Sequence, residues 1–226
     1  MAEDNVTVEV IEKEAKEPLF SKKNRRLITD PLNDDNPITV QVLGICSALA
    51  ITVQLQQAIV MSISVMVVLI FSSVIISALR NYIPQRVRII VQLVIVASMV
   101  VLVDEVLKAF VYDVSKKLSV FVGLIITNCI IMGRLEAFAL GNKPWPSALD
   151  AVGNAAGYGL ILVVVAFFRE LLGSGKILGY PLFENLGFYD MGYQNNGLMI
   201  LSPMALITVG VYIWIQRSRN TKLIEE

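Results

Sequence analysis

Residues Ala58–Leu79 read AIVMSISVMVVLIFSSVIISAL, a run without a single charged residue. A bilayer core of about 30 Å takes about 20 apolar residues as a helix, so this stretch predicts a membrane crossing. The same test applied outward gives six spans, at about 38–55, 57–79, 87–110, 119–140, 151–172 and 198–215. The whole composition agrees. Of 226 residues, 55% are apolar and 17% charged, against about 25% charged in soluble domains. The charges also cluster, with six Lys/Arg and nine Asp/Glu in the first 37 residues and most others between apolar runs. Two cysteines are too few for a secreted disulfide scaffold. A net charge of zero without a basic stripe argues against nucleic acid as a partner. The absence of histidine removes His-ligated haem and His-based acid–base catalysis from this chain.

Orientation follows from the Lys/Arg bias of the loops. Six spans put both termini on one side. That side collects Lys22, Lys23, Arg25 and Arg26, then Arg80, Arg86 and Arg88, then Arg134 and Lys143, then Arg217, Arg219 and Lys222. The other side has Lys108, Lys116, Lys117, Arg169 and Lys176. Both termini are therefore expected in the cytoplasm. Residues 1–36 read as a polar cytoplasmic tail, 37–217 as the membrane domain and 218–226 as a second short tail. A signal peptide is not expected, because the leader before Ala48-Leu49-Ala50 is long and acidic.

Spans one and four stand apart. Span one is short, carries Gln41, Gly44, Ser47, Thr52 and Gln54, and is separated from span two by Gln56-Gln57 alone. Such a span reads as half-helices rather than a plain crossing. Span four is punctuated in the same way by Thr127-Asn128. Each has one cysteine at its midpoint, Cys46 and Cys129. The two spans lie three apart and so run in opposite directions. The expected fold is thus an all-α integral membrane protein of six transmembrane helices, arranged as two inverted three-helix repeats (about 37–112 and 117–217). This plan places sites at the membrane midplane.

A buried cysteine is usually a small packing residue, and that reading stays open for both. The alternative is thiolate ligation of iron, since soft thiolates suit iron–sulfur centres, which take four Cys ligands. Two cysteines give half a site, so a sister chain must supply the rest. The half-helix ends would present backbone N–H groups to the thiolate charge. A mid-membrane redox centre would divide the ~30 Å barrier into two shorter electron transfers.

Several stretches carry a resemblance. They are Asn36-Pro37, Gln41–Ala50 (QVLGICSALA), Val87–Gln92 (VRIIVQ), Leu118–Ile125 (LSVFVGLI), Thr127-Asn128-Cys129, Gly133-Arg134, Glu136–Ala139 (EAFA) and Arg169–Gly175 (RELLGSG). Over about 36–217 the chain resembles the NqrD family, the D subunits of Na⁺-translocating NADH:quinone oxidoreductases, close kin to the E subunits of Rnf complexes. The resemblance implies six helices paired with an inverted homologue, the E subunit, beside the A, B, C and F subunits. It implies that Cys46 and Cys129 hold half of a 2Fe–2S cluster, and that electrons flow from NADH to ubiquinone with outward Na⁺ pumping. NADH and the flavins belong to the other subunits. The acidic amino-terminal extension departs from the family. Two alternatives remain: the matching subunit of an Rnf-type ferredoxin:NAD⁺ complex, and an inverted-repeat secondary transporter with packing cysteines.

Charges in or near the spans are functional candidates. Asp104 and Glu105 fall late in span three, Arg134 and Glu136 at the inner end of span four, and Asp150 at the start of span five. Arg169 and Glu170 close span five. Each can be an interfacial anchor or a salt-bridge partner. Alternatively, Asp150, Asp104, Glu105 or Glu136 lies on an ion path, with Asp150 first because it sits where cytoplasmic Na⁺ enters. The stretch Gly153-Asn154-Ala155-Ala156-Gly157-Tyr158-Gly159 reads as a small-residue packing surface. The Gly- and aromatic-rich loop at 173–197 reads as a connector or a cap at headgroup level.

Overall fold

A computed structural model describes residues 22–33, 35–110, 123–178, 180–181 and 196–219. The first 21 residues, the C-terminal tail from 220, the onset of span four at 119–122 and most of the 173–197 loop lie outside them. The elements are α1 (Lys22–Asn33), α2 (Ile45–Ile51), α3 (Leu55–Leu79), α4 (Arg88–Phe110), α5 (Cys129–Arg134) and α6 (Pro144–Ser174). A π-helical segment, Leu135–Ala139, continues α5. A two-stranded antiparallel hairpin, β1 (Lys176–Ile177) and β2 (Tyr180–Pro181), and a 3₁₀ turn at Gly197–Ile200 lead to α7 (Ser202–Arg219). Among the described residues three helices, α3, α4 and α6, are long and apolar enough to cross a membrane.

Local sequence explains the boundaries. α3 contains neither Gly nor Pro, and its end is followed by a turn before Pro84, which keeps the preceding residue out of helix. α6 begins at Pro144, seven residues before the expected start of span five, because proline is pre-organised for a first helical turn. It stops at Gly175, whose left-handed φ of 65° closes the helix through a 3.1 Å bond from its N–H to Leu171 O. The other two spans are broken, as their polar punctuation predicts. In span one only Ile45–Ile51 is α-helix, entered through Gly44 at φ 82°. In span four one helical turn at 123–126 ends at Thr127, and a new helix starts at Cys129. Asn128 caps that helix by accepting the Ile130 N–H, an interaction worth about 1 kcal/mol.

The helices α3 and α6 pack lengthwise and form the centre. Val65, Val68, Leu69, Ala151, Ala155 and Ile161 are among its buried residues. α2 packs against α7 and touches both α3 and α6, and α5 with its π segment packs against α3, touches α6 and reaches α4 through Glu136. The outer helices α4 and α7 leave apolar side chains exposed, such as Ile90, Val94 and Leu102 on one and Ile207, Val211 and Trp214 on the other.

The expectation of a featureless tail to residue 36 does not hold at its end. Lys22–Asn33 is helical and lies on α6. The small-residue surface of α6 makes this possible. A Cβ added to Gly153 would stand 2.3 Å from Leu27 O, and one added to Gly157 would stand 2.4 Å from Pro31 O. Both clashes are with backbone, which cannot yield by a rotamer change. The following turn is fixed by Asn36, which donates to Gly157 O at 3.2 Å and accepts the Ile38 N–H at 3.0 Å. Gly157→Ala is therefore expected to lift α1 from α6 while helix content by circular dichroism is unchanged. Trypsin cleavage at Lys22–Arg26 should become severalfold faster, and an unchanged rate would show that the close approach is not what holds α1.

Candidate redox site at two broken helices

The two cysteines begin the two broken helices. Cys46 is the second residue of α2 and Cys129 the first of α5. Both are free thiols and both are exposed on the surface of this chain. Their neighbours join the helices to each other. Asn128 donates through Nδ2 to Ser47 Oγ and to the Tyr158 hydroxyl, each at 3.2 Å. Ser47, Asn128 and Tyr158 are buried. Gly44 completes the packing, since a Cβ there would stand 2.8 Å from the Tyr158 ring. Ser47 Oγ lies 3.9 Å from Cys46 Sγ. A buried, connected polar set of this kind fixes the relative position of the segments it links.

The breaks themselves are closed by side chains from elsewhere. After α2, Thr52 Oγ1 donates to Ala48 O and accepts from Arg169 Nη1. Arg169 is 1% exposed and has no carboxylate partner among the described residues. Its other N–H groups reach Met199 O (3.1 Å), Ile200 O (2.9 Å) and Leu201 O (3.2 Å). Its charge thus serves helix ends, where C-terminal carbonyls favour a cation. Glu170 accepts the Leu55 and Leu178 N–H groups. After the π segment the arrangement repeats from the opposite direction. Ser77 donates to Asn142 O, and Arg80 donates to Gly141 O at 3.4 Å. Arg80 follows Leu55, the start of α3, by the same 25 positions as Arg169 follows Pro144, the start of α6.

The remaining candidates separate into two ends of the molecule. Asp150 is buried, and both its oxygens accept from Arg134, while Asn154 Nδ2 also reaches Oδ1 at 3.1 Å. Glu136 pairs with Arg88 and accepts from Gln92 Nε2 at 2.9 Å. Asp104 and Glu105 share Lys108 at 2.7 and 3.0 Å on α4. The structure therefore brings none of the four carboxylates to the cysteines. Tyr158 was not singled out by the sequence. The available signal was a lone phenol among small residues of an apolar helix, whose hydroxyl needs a partner when buried.

An apolar helical body with two interrupted segments joined at Asn128 is the build of an integral membrane protein. The chain belongs to the Rnf-Nqr subunit family of membrane proteins, whose model matches residues 24–213. It is 55% identical to the Na⁺-translocating NADH-quinone reductase D subunit of Haemophilus ducreyi over 203 residues, 89% of this chain and 97% of that protein. The D subunits of Photobacterium profundum and Neisseria gonorrhoeae are each 56% identical, covering 87% and 91% of this chain and 93% and 98% of their own. The family resemblance read from the sequence is thereby established.

The Asp150–Arg134 pair has a testable consequence. Their side chains are 4% and 15% exposed, and removing one partner of a buried pair costs about 3–5 kcal/mol. Asp150→Asn should lower the thermal midpoint of the detergent-solubilised complex markedly, and Arg134→Gln in the same chain should restore much of it. A midpoint unmoved by Asp150→Asn, with Na⁺ affinity weakened instead, would reassign Asp150 to the ion path.

Proposed function

We propose that this chain is the D-type membrane subunit of a Na⁺-translocating NADH:quinone oxidoreductase. In this reading Cys46 and Cys129 supply two of four thiolate ligands to a mid-membrane 2Fe–2S centre, and the inverted homologue, the E subunit, supplies the other two. The observation that carries the reading is the Ser47–Asn128 bond, which ties the start of α2 to the start of α5. It holds two free, exposed thiols on adjacent helix starts. Among the described residues no group of three or more His, Cys, Asp or Glu could hold a metal, and a two-thiol half-site fits a shared centre. When bound, the cluster accepts and donates single electrons. The protein's part is to hold the sulfurs in place and keep them within the bilayer.

The reach of Arg169 to the turn after α2, and of Arg80 to the turn after the π segment, supports two inverted three-helix halves. The pairing of Arg134, Asp150, Arg88 and Glu136 at one end, with Arg169 and Glu170 at the other, supports the orientation from loop charge. That orientation puts both termini in the cytoplasm of a bacterium. The charge-neutralised Asp150 then serves as cytoplasmic-side architecture. Electrons pass from the NADH- and flavin-bearing subunits toward quinone, with Na⁺ export coupled in the assembly of the six A to F subunits.

The test is iron content and electron paramagnetic resonance of the purified complex carrying Cys46→Ser or Cys129→Ser, after assembly is verified by native gel. Each variant is expected to lose one iron–sulfur signal and quinone reduction while the complex remains whole. Unchanged iron and activity would return both cysteines to packing roles.

A further inference from the structure

The glycines that seat α1 also fix its depth. Leu27 O meets Gly153 and Pro31 O meets Gly157, so α1 and α6 advance together and run parallel. α1 therefore enters from the end of the molecule that carries Arg134 and Asp150, and it descends beside α6. Gly157 lies six positions past Ala151, where the apolar stretch of α6 begins. That is about 9 Å, at a rise of about 1.5 Å per residue. The α3 side agrees. α3 is antiparallel to α6, with Leu55 beside Glu170 and Ser77 beside Asn142. A Cβ on Gly159 would stand 3.0 Å from Ser62 Cβ, and Ser62 lies 17 positions before the uncharged run ends at Leu79. Both helices thus put the last turn of α1 at hydrocarbon depth. The irregular backbone at 35–44 follows at that depth, with Asn36 bonded to Gly157 O and Gly44 against the Tyr158 ring.

What this chain leaves open there cannot face lipid. Asp30 and Asp35 are exposed, and among the described residues neither carboxylate has a hydrogen-bond or ion-pair partner. Arg26, also exposed, stands one turn before Asp30. Leu32 and Val42 belong to the same segment and are 43% and 55% exposed. Ionised carboxylates and irregular backbone at membrane depth are met only against protein or a water-filled cavity. Water suits the carboxylates but leaves Leu32 and Val42 wet. A protein surface accommodates both kinds of side chain. Two carboxylates against one guanidinium leave the face acidic.

We propose that the outward face of α1 and of the turn after it is a subunit interface, covered by a membrane segment of a neighbouring subunit that brings a lysine or arginine to Asp30 and Asp35. This rests on the subunit role proposed above and not on the ligand role of the cysteines. The contact gives the carboxylates their counter-charge and shelters the backbone at 35–44 on the side this chain leaves bare. α1 is then the inner half of span one, and the neighbour forms its outer wall.

The experiment introduces the photo-crosslinker p-benzoylphenylalanine in place of Leu32 in the whole purified complex and identifies the adducts by peptide mass spectrometry. Leu32 is exposed and apolar, so the replacement removes neither carboxylate. The expected product joins this chain to another subunit through a peptide that contains a lysine or arginine. Adducts with lipid or detergent alone overturn the proposal, and so does a partner peptide without a basic residue. Asp30→Cys and Asp35→Cys in the same complex supply a second measurement. Labelling by a charged, membrane-impermeant maleimide, above the wild-type level set by Cys46 and Cys129, should be absent in the intact complex. It should appear once denaturing detergent separates the subunits. Labelling of the intact complex identifies a water-filled cavity and overturns the proposal. If the chain purifies without other subunits, the subunit role has failed and the interface falls with it. If the complex is whole and position 32 meets only lipid, the interface alone has failed.

Discussion

Inside a bilayer every backbone N–H and C=O needs a partner from the protein, because no water is available to supply one. A continuous helix meets this condition within itself, and α3, α4 and α6 do so. Two further stretches do not, since residues 38–55 are helical only over Ile45–Ile51 and residues 123–134 are interrupted at Thr127-Asn128, and the rest of the architecture answers those breaks. Asn36 closes the turn before α2, Thr52 and Arg169 close the turn after it, and Asn128 caps the start of α5. Ser77 and Arg80 cover the carbonyls that follow the π segment. These groups are short amides and hydroxyls or arginines, which can reach a carbonyl or amide across a helix interface. Breaking a span thus obliges neighbouring helices to carry polar side chains at matching depth.

The closures are exchanged between the two parts of the chain. Arg169, near the end of α6, serves the turn after α2, and Arg80, at the end of α3, serves the turn after the π segment. Each broken segment thus takes part of its closure from a distant helix. The pair α3–α6 consequently acts as a rigid spine, and the broken helices are held to it from opposite directions. The thiols sit where those two directions meet, at the place where α2 and α5 share the Asn128 amide. Rigid supports of this sort hold side chains at fixed separation without needing a ligand to organise them.

Much of this was legible in the sequence. Ala58–Leu79 announced α3, and the expected third span differs from α4 by one residue at its start. The interruptions in spans one and four followed from Gly44 and from Thr127-Asn128, residues that weaken a helix or compete for its backbone bonds. The packing role of Gly153 and Gly157 was readable too. What they pack against was not, because hydropathy made residues before 36 look unsupported, and the partner of those glycines is the α1 backbone. The start of α6 was missed since Lys143 and Asp150 hide a helix onset that Pro144 signals. The pairing of Arg134 with Asp150 was half legible: loop charge put them on one side, and only the fold made them partners. The partners of Arg169 and of Tyr158 escaped for a common reason. They lie far along the chain, at Thr52 and Asn128, and sequence patterns report neighbours.

The distance between Arg169 and Thr52 has a consequence for biosynthesis. The contact spans 117 residues, so the turn after α2 enters the membrane long before its guanidinium exists. At about 5–20 residues per second of translation, the wait is on the order of 6–23 s. During that interval Thr52 and its neighbouring amides must find other company, in the insertion machinery or at the water interface. The first broken span is therefore inserted as an unfinished object and completed only when α6 arrives. Nascent chains interrupted before Arg169 would leave it open, which makes that interval the moment at which membrane quality control can distinguish a truncated product from a whole one.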